Sequence, residues 1–415
     1  MAGIFSHPGY ARFWAADAVS TFGSCITTVA MSVLAVVTLH AGNLQVGLLN
    51  AARWTPYLLF GLLAGVIADR YRRRPILVAT DLIRGGLLAT IAILAATHLL
   101  TIYELAAFMA VFGALSLLYD ASHQSYLPRL VPPAGLTAAN ARLQQTSALA
   151  QTTGPALGGT LVTVLGAPLG MALDAVSYIG SGLTLASIRR PEPAPQAADR
   201  DLRAELRAGL AFVYRHPVLR SAALTLHLRF FFASVISTVF TLFVLRDPGL
   251  GHDSKRAAFG LGVVLAVGGI GALLGNTLSG HLAHHSAGHL MTAERLAEPL
   301  AWTLAPLAVA GPTAWAMAAG AQFLVWLALG TSGPAEMAYR QSVTPDHLQG
   351  RANATIRSLN WGMFTLGAPL GGALATTYGY RTTLWLAISG MAATAVVAAL
   401  SPMRTAQVAV TVSDT

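Results

Sequence analysis

Charged side chains are scarce in this sequence. They make up 10% of 415 residues, where a soluble domain carries about 25%, so the chain cannot clothe a surface that faces water on all sides. Lysine is nearly missing, with Lys255 as its one example. Cysteine is reduced to Cys25, which excludes a disulfide framework. No Gly-rich loop ends in Gly-Lys-Ser/Thr, so a built-in ATPase of that type is excluded. Nucleophile, base and oxyanion donors form no grouping; Ser and His are scattered through span ends and loops. Neither enzymatic activity nor a cofactor is expected. No cleavable leader is expected either, because the first apolar stretch is long, begins after Tyr10 and has no fitting cleavage pattern.

What is abundant is hydrophobic length. Apolar residues are 54% of the chain and the mean hydropathy is +0.59. Crossing a ~30 Å hydrocarbon core takes about 20 residues of helix, and twelve stretches qualify. They lie near 11–39, 46–69, 76–99, 102–124, 141–165, 168–188, 218–245, 258–283, 294–311, 313–337, 353–377 and 380–401. The fold class that follows is all-α integral membrane, with the lipid bilayer as its surroundings. The net charge of +9 does not point to nucleic acid, because arginine clusters in short loops between spans are the topology signal of membrane proteins.

The chain also repeats itself. Asn140–Gly166 recurs as Asn353–Gly379, 213 positions later, with 10 of 27 residues identical and no gap. The centre of the first copy is Gly154-Pro155-Ala156-Leu157-Gly158-Gly159. An internal repeat of this length implies a duplicated unit, here two pseudo-symmetric bundles of six helices. The expected division is 1–188 for the first bundle, 189–217 for a linker and 218–415 for the second. Within the linker, Leu202, Leu206, Leu210 and Val213 fall at helical spacing, so a short amphipathic helix on the membrane surface is predicted. Arginine is concentrated in the segments on the side of the N-terminus, above all Arg70, Arg72, Arg73 and Arg74. That places both termini in the cytoplasm.

The sharpest local pattern closes the second span: Gly65-Val66-Ile67-Ala68-Asp69-Arg70-Tyr71-Arg72-Arg73-Arg74-Pro75. Asp69 stands at the membrane edge, where a lone carboxylate is costly and needs a helix N-terminus or an arginine beside it. Gly65, Asp69, Arg70, Arg73 and Arg74 in this arrangement resemble the loop motif between the second and third spans of the major facilitator superfamily. Gly154, Pro155, Gly158 and Gly159 resemble that superfamily's antiporter motif. Phe13-Trp14, Leu130-Val131-Pro132-Pro133 followed by Asn140-Ala141, Arg215-His216-Pro217 and Gly350-Arg351-Ala352-Asn353-Ala354 resemble its branch of macrolide-type drug exporters and enterobactin-type siderophore exporters. Arg72 stands where the superfamily usually has Gly, His123 where this branch often has Arg, and Ser24 where it often has Asp.

The resemblance implies a gate on the cytoplasmic side, with Asp69 resting on the eleventh span and a relay Asp69–Arg73–Asp120 reaching the inner end of the fourth. It also implies that spans one, four, seven and ten line a central cavity. Read from the residues, Pro155 removes a backbone donor and kinks its helix. Gly154, Gly158 and Gly159 fall on nearly one face and permit close packing.

Ionisable residues inside spans are functional candidates, because burial in lipid is expensive. Arg229 lies mid-span with His227 two positions earlier, and it requires a carboxylate or an anionic substrate. Asp17, Asp174 and Glu336 are the available carboxylates; Asp17, Arg229 and Glu336 are favoured for proton or substrate contact, and Asp174 for structural hydrogen bonding at the outer end of its helix. Trp361, Phe364, Phe230, Phe231 and Phe232 could line a hydrophobic wall. His281, His284, His285 and His289 lack a companion acid or Cys, so no metal is expected. The expected protein is a monomeric secondary transporter of the cell or inner membrane. It exports small, mostly hydrophobic molecules, such as drugs, antibiotics or siderophores, by proton antiport and alternating access. An importer or facilitator of a small metabolite, or a non-transporting receptor on the same fold, remain the alternatives.

Overall fold

The computed structural model describes residues 5, 7–132, 135–189, 192, 202–247, 254–282 and 286–407. Among the described residues there are helices and no strand. The order is α1 (Pro8–Val33, continued by a π turn Leu34–Thr38), α2 (Asn43–Arg70), α3 (Arg73–Ala96), α4 (Ile102–Leu130), α5 (Leu136–Leu165) and α6 (Ala167–Ala186). Then come α7 (Leu202–Arg215), α8 (Pro217–Arg246), α9 (Ser254–His281), α10 (Ala287–Trp302), the short α11 (Leu304–Leu307), α12 (Gly311–Val343) and α13 (Asp346–Leu400).

The helix boundaries have local causes. Pro begins α1, α6, α8 and α12 in the first turn, where its missing N–H costs nothing. Thr101 and Glu104 form a capping box on α4, which satisfies two N-terminal donors. Gly166 ends α5 at φ 84°, and its repeat partner Gly379 breaks α13 at φ 78°. Both lie in the left-handed region that glycine alone enters cheaply. The break makes α13 two spans, so twelve membrane helices form two bundles of six. Eight of the described helices, with α13 counted once, are long and apolar enough to cross a bilayer on length and composition alone.

The two bundles meet differently at their two ends. At the distal end, away from the start of α1 and the finish of α13, a single buried apolar core draws on both halves. It includes Val29, Leu34 and Met171 of the first and Val239, Phe243 and Leu384 of the second. Arg246 of α8 donates to Asn43 Oδ1 of α2 at 2.9 Å and to the Val36 carbonyl at 3.3 Å, and Tyr380 donates to the same Asn43. At the terminal end the cores are separate. Tyr10, Phe13, Tyr126 and Leu130 belong to the first half, and Leu219, Met291, Tyr339 and Met403 to the second. One shared core closes the distal end, and each half keeps its own core at the terminal end.

The amphipathic α7 forms where the leucine spacing predicts, but it docks on protein. Val213 is fully buried against Ala223, Leu226, Ala352 and Ile356, and Gly209 packs against Arg351 and Thr355. Leu210 of the same stripe stays exposed, so among the described residues of the stripe the protein covers only the Val213 end.

Candidate functional site

The second half carries a buried ionic cluster. Arg229 of α8 donates to Glu298 of α10 through Nε at 2.5 Å and through a terminal nitrogen at 3.0 Å. Its Nε also lies 3.2 Å from Glu294. Arg295 of α10 pairs with Glu294 and, at 3.2 Å, with Glu336 of α12. Glu294, Arg295 and Glu298 are each no more than 3% exposed. Partnering of this kind is what makes charge tolerable inside a membrane protein. The sequence reading offered Asp17, Asp174 or Glu336 as partners for Arg229; its partners are Glu294 and Glu298, which that reading passed over. It began the ninth span at 294, whereas α10 begins at Ala287, so both acids sit well inside the helix. The available signal was Glu294-Arg295-x-x-Glu298, which puts two acids on one helical face.

A cavity of about 560 Å³ opens beside this cluster, lined by Arg229, Arg295, Glu336, Arg340, Arg357 and Trp361 among others. Arg340 reaches the Met337 sulfur at 3.2 Å and leaves its buried Nε–H unbonded. Neither Arg340 nor Arg357 forms an ion pair among the described residues.

The first half presents the opposite charge. Asp81 and Arg84 of α3 pair with each other, and Ser181 donates to Asp81 at 2.6 Å. The Arg84 guanidinium lies over the rings of Tyr119 and Tyr178 at 4.3 and 4.5 Å. This self-contained pair also escaped the sequence reading, although Asp81 and Arg84 at i, i+3 inside an apolar span is a legible signal. Arg84 lines a pocket of about 180 Å³ together with Asp17, Asp120, Tyr119, His123 and Tyr178. Asp17 lies 3.0 Å from His123 Nε2. Asp120 accepts from the Tyr57 hydroxyl at 2.9 Å. No guanidinium pairs with Asp17 or Asp120 among the described residues. Asp120 is not a helix-end residue as expected: α4 continues to Leu130, about ten residues or ~15 Å further. Arg73 does not engage it in this conformation. Asp174 is fully buried, accepts from Ser177 at 2.7 Å and sits within α6 rather than at its end.

Between the two walls runs an aromatic seam. Trp361 of α13 stacks on Trp54 of α2 at 4.1 Å and 7°, with Phe230 and Phe364 edge-on or tilted against them. Each such pair adds about 0.5–1.5 kcal/mol beyond area burial. Tyr57 links the seam to Asp120, its ring 6.5 Å from Trp361. Arg53 lies over the Trp54 ring at 5.3 Å. His227 lies on another line of contact: Nδ1 is 2.6 Å from Asn360 Oδ1 and Nε2 is 2.8 Å from the Tyr214 hydroxyl. A neutral ring that donates to the amide oxygen and accepts from the phenol satisfies both. His227 thus ties the linker helix to α13.

The Gly-rich hexads pack on two faces, not one. A Cβ on Gly154 would lie 2.6 Å from Cys25 of α1, and one on Gly158 would lie 3.0 Å from Ile26; one on Gly159 would instead lie 3.0 Å from Gly262 of α9. The repeat copies this arrangement: Gly367 and Gly371 face Phe231, Ser234 and Val235 of α8, and Gly372 faces Asn43 of α2. Each hexad therefore holds its own bundle with two glycines and the opposite bundle with the third. Pro155 adds its carbonyl to that cross-bundle contact, against Gly262.

In the loop motif, Gly65 and Asp69 lie on α2 with side chains outside the described residues, and Arg70 is exposed at its end. Arg74 donates to the Leu185 and Ala186 carbonyls that finish α6. Glu192 accepts the Arg73 and Arg74 backbone N–H groups at 2.8 and 2.9 Å, a carboxylate on a helix N-terminus. Of the histidine group, His284 and His285 fall outside the described residues. Among the described residues no cluster has metal-ligand grouping.

A family model described as transmembrane secretion effector matches residues 3–414. Among curated relatives, the enterobactin exporter EntS of Shigella dysenteriae serotype 1 is 28% identical over 379 residues, covering 89% of this chain and 86% of its own. The MFS-type transporter YfiS of Bacillus subtilis is 24% identical over 382 residues, covering 89% and 88%. Among solved structures, the nucleoside transporter NupG superposes with a TM-score of 0.74 at 11% identity, over 94% of this chain and 98% of that one. A bacterial homologue of the human lysosomal transporter Spinster, inward-facing and occupied, gives 0.71 at 15%, over 95% and 96%. At those identities the likeness concerns the fold.

Proposed function

We propose that this chain, which belongs to the transmembrane secretion effector family of major facilitator transporters, exports small, mostly hydrophobic molecules by proton antiport. It is a transporter and not an enzyme. The observation that carries the reading is the pocket inside the first half, where Asp17 and Asp120 have no guanidinium paired to them among the described residues. A proton and a substrate that both seek those carboxylates exclude one another, which is the requirement for exchange rather than co-transport. His123, Arg84, Tyr119 and Tyr178 line the same pocket as Asp17. Relatedness to an enterobactin exporter supports the outward direction.

In this proposal both termini are cytoplasmic, the protein works as a monomer in the cell membrane, and the terminal end faces the cytoplasm. The units are 1–188, 189–217 and 218–415. When the terminal end closes, Asp69 and Arg73 form the gate without Asp120, which lies about ten residues inside α4 of the same bundle. The hexads, each locking one bundle to the other at the distal side, set how readily that side opens and so limit leak.

The test is accumulation of macrolides, tetracyclines, dyes and a catecholate siderophore in an efflux-deficient bacterium expressing the protein, with and without a protonophore. Lower accumulation, restored by the protonophore and by Asp17→Asn, is the expected result. Accumulation that rises on expression would instead make the protein an importer.

A further inference from the structure

The two walls of the cavity differ in sign, and that difference names a substrate class. On the first wall Arg84 is taken up by Asp81, and His123 is the one basic group beside Asp17. Asp17 meets His123 and Asp120 meets the Tyr57 hydroxyl, so neither is answered by a guanidinium. On the second wall Glu294, Glu298 and Glu336 are taken up by Arg229 and Arg295. Arg340 and Arg357 are left over, both lining the larger cavity. The two cavities adjoin one another. Gln124 of the larger cavity follows His123 of the smaller in α4, and Tyr57 touches Asp120 on one side and approaches Trp361 on the other. Arg53, the remaining cation of this region, sits over Trp54 and Phe112 and lines neither cavity. Trp361, stacked on Trp54, gives the larger cavity an aromatic side.

We infer that the cavity takes an amphipathic zwitterion: a cationic group held by Asp17 and Asp120, an anionic group held by Arg340 and Arg357, and an apolar or aromatic body on the tryptophan seam. This deepens the proposed function and rests on that cavity being the transport site. Charge complementarity of this kind rejects wrong partners more strongly than it raises affinity, so the signature is selectivity among molecules of one shape. A compound with only a cation leaves the arginines unanswered; one with only an anion leaves the aspartates so.

The test uses purified full-length protein in nanodiscs and four probes on one scaffold, read by tryptophan fluorescence and calorimetry. The probes are 2-naphthylalanine, its methyl ester, its N-acetyl derivative and the N-acetyl methyl ester: zwitterion, cation, anion and neutral. The zwitterion is expected to bind best, about tenfold or more tighter than the neutral probe, which lacks both charge contacts. Arg357→Gln should erase its advantage over the methyl ester, and Asp120→Asn its advantage over the N-acetyl acid, each read as an affinity ratio within the same variant. Equal binding of all four, preference for a singly charged probe that both variants retain, or no binding by protein with an intact unfolding transition would each overturn the inference. Zwitterion selectivity without proton-driven movement would leave the inference standing and remove proton antiport. Proton-driven export of a compound that competes with none of the four would do the reverse.

Discussion

The two halves of this transporter place polar groups at the same positions and give them different tasks. Asp81 and Glu294 are 213 residues apart, as are His123 and Glu336, the same shift that relates the hexads. In the first half Asp81 has Arg84 and Ser181, and the account there is closed. In the second half Glu294 joins a five-membered network with two arginines and two further glutamates. One half leaves carboxylates facing the cavity and the other leaves guanidiniums. A duplicated scaffold therefore fixes where charge can be buried, and the residues chosen at those places decide which wall attracts which end of a ligand.

The sharpest way to break this contrast is to remove an arginine that is paired and one that is not. Arg229→Ala strands the buried Glu298 and leaves Glu294 to Arg295 alone, at a cost of about 3–5 kcal/mol, so thermal unfolding in detergent should shift strongly. Arg357→Ala, with no carboxylate to strand, should change stability by only ~0.5 kcal/mol. Equal losses would mean that Arg357 is structural and that the basic wall is not available to a ligand.

A smaller effect is expected at the seams between the halves. Gly159→Leu and Gly372→Leu insert side chains where α5 meets α9 and α2 meets α13. Overpacking of this kind costs about 1–3 kcal/mol, and here it falls on the distally closed state. Spin-label distances across the distal end should lengthen in both variants. Gly154→Ala, which presses on α1 within one bundle, should leave them unchanged.

The smallest effect belongs to the linker. Burial pushes the Tyr214 phenol up from its ordinary value, so its hydroxyl stays a donor to His227 at physiological pH. Tyr214→Phe removes that bond at about 1 kcal/mol. Faster hydrogen exchange over 202–215, with transport retained, is the expected readout.

The fold was legible because its signals are long-range and redundant. Span length, the 213-residue repeat and the arginine distribution all point to one architecture, and Gly166 and Gly379 end their helices at matching places. The site was legible only in part. Arg229, Asp17, Glu336 and Trp361 announced themselves as charged or large aromatic residues inside spans. Their partners did not, because Glu294 was read as a span edge and Asp81–Arg84 was passed over as span interior. Side-chain pairing between α8, α10 and α12 depends on helix rotation, which periodicity in apolar spans does not encode. The split of each hexad between two neighbours escaped for the same reason: glycine at i, i+4 and i+5 marks close packing without naming what is packed.

The account rests on the first wall exchanging a proton for substrate, and one measurement tests that directly. Proteoliposomes loaded with a compound that the expressing cells exclude, and with a pH-sensitive dye, would be placed in acidic buffer. Wild-type protein is predicted to acidify the lumen as the compound leaves, and Asp17→Asn to lose the gradient-driven movement while still catalysing equilibrium exchange of the compound. Full gradient-driven release by Asp17→Asn, with luminal acidification unchanged, would contradict the account.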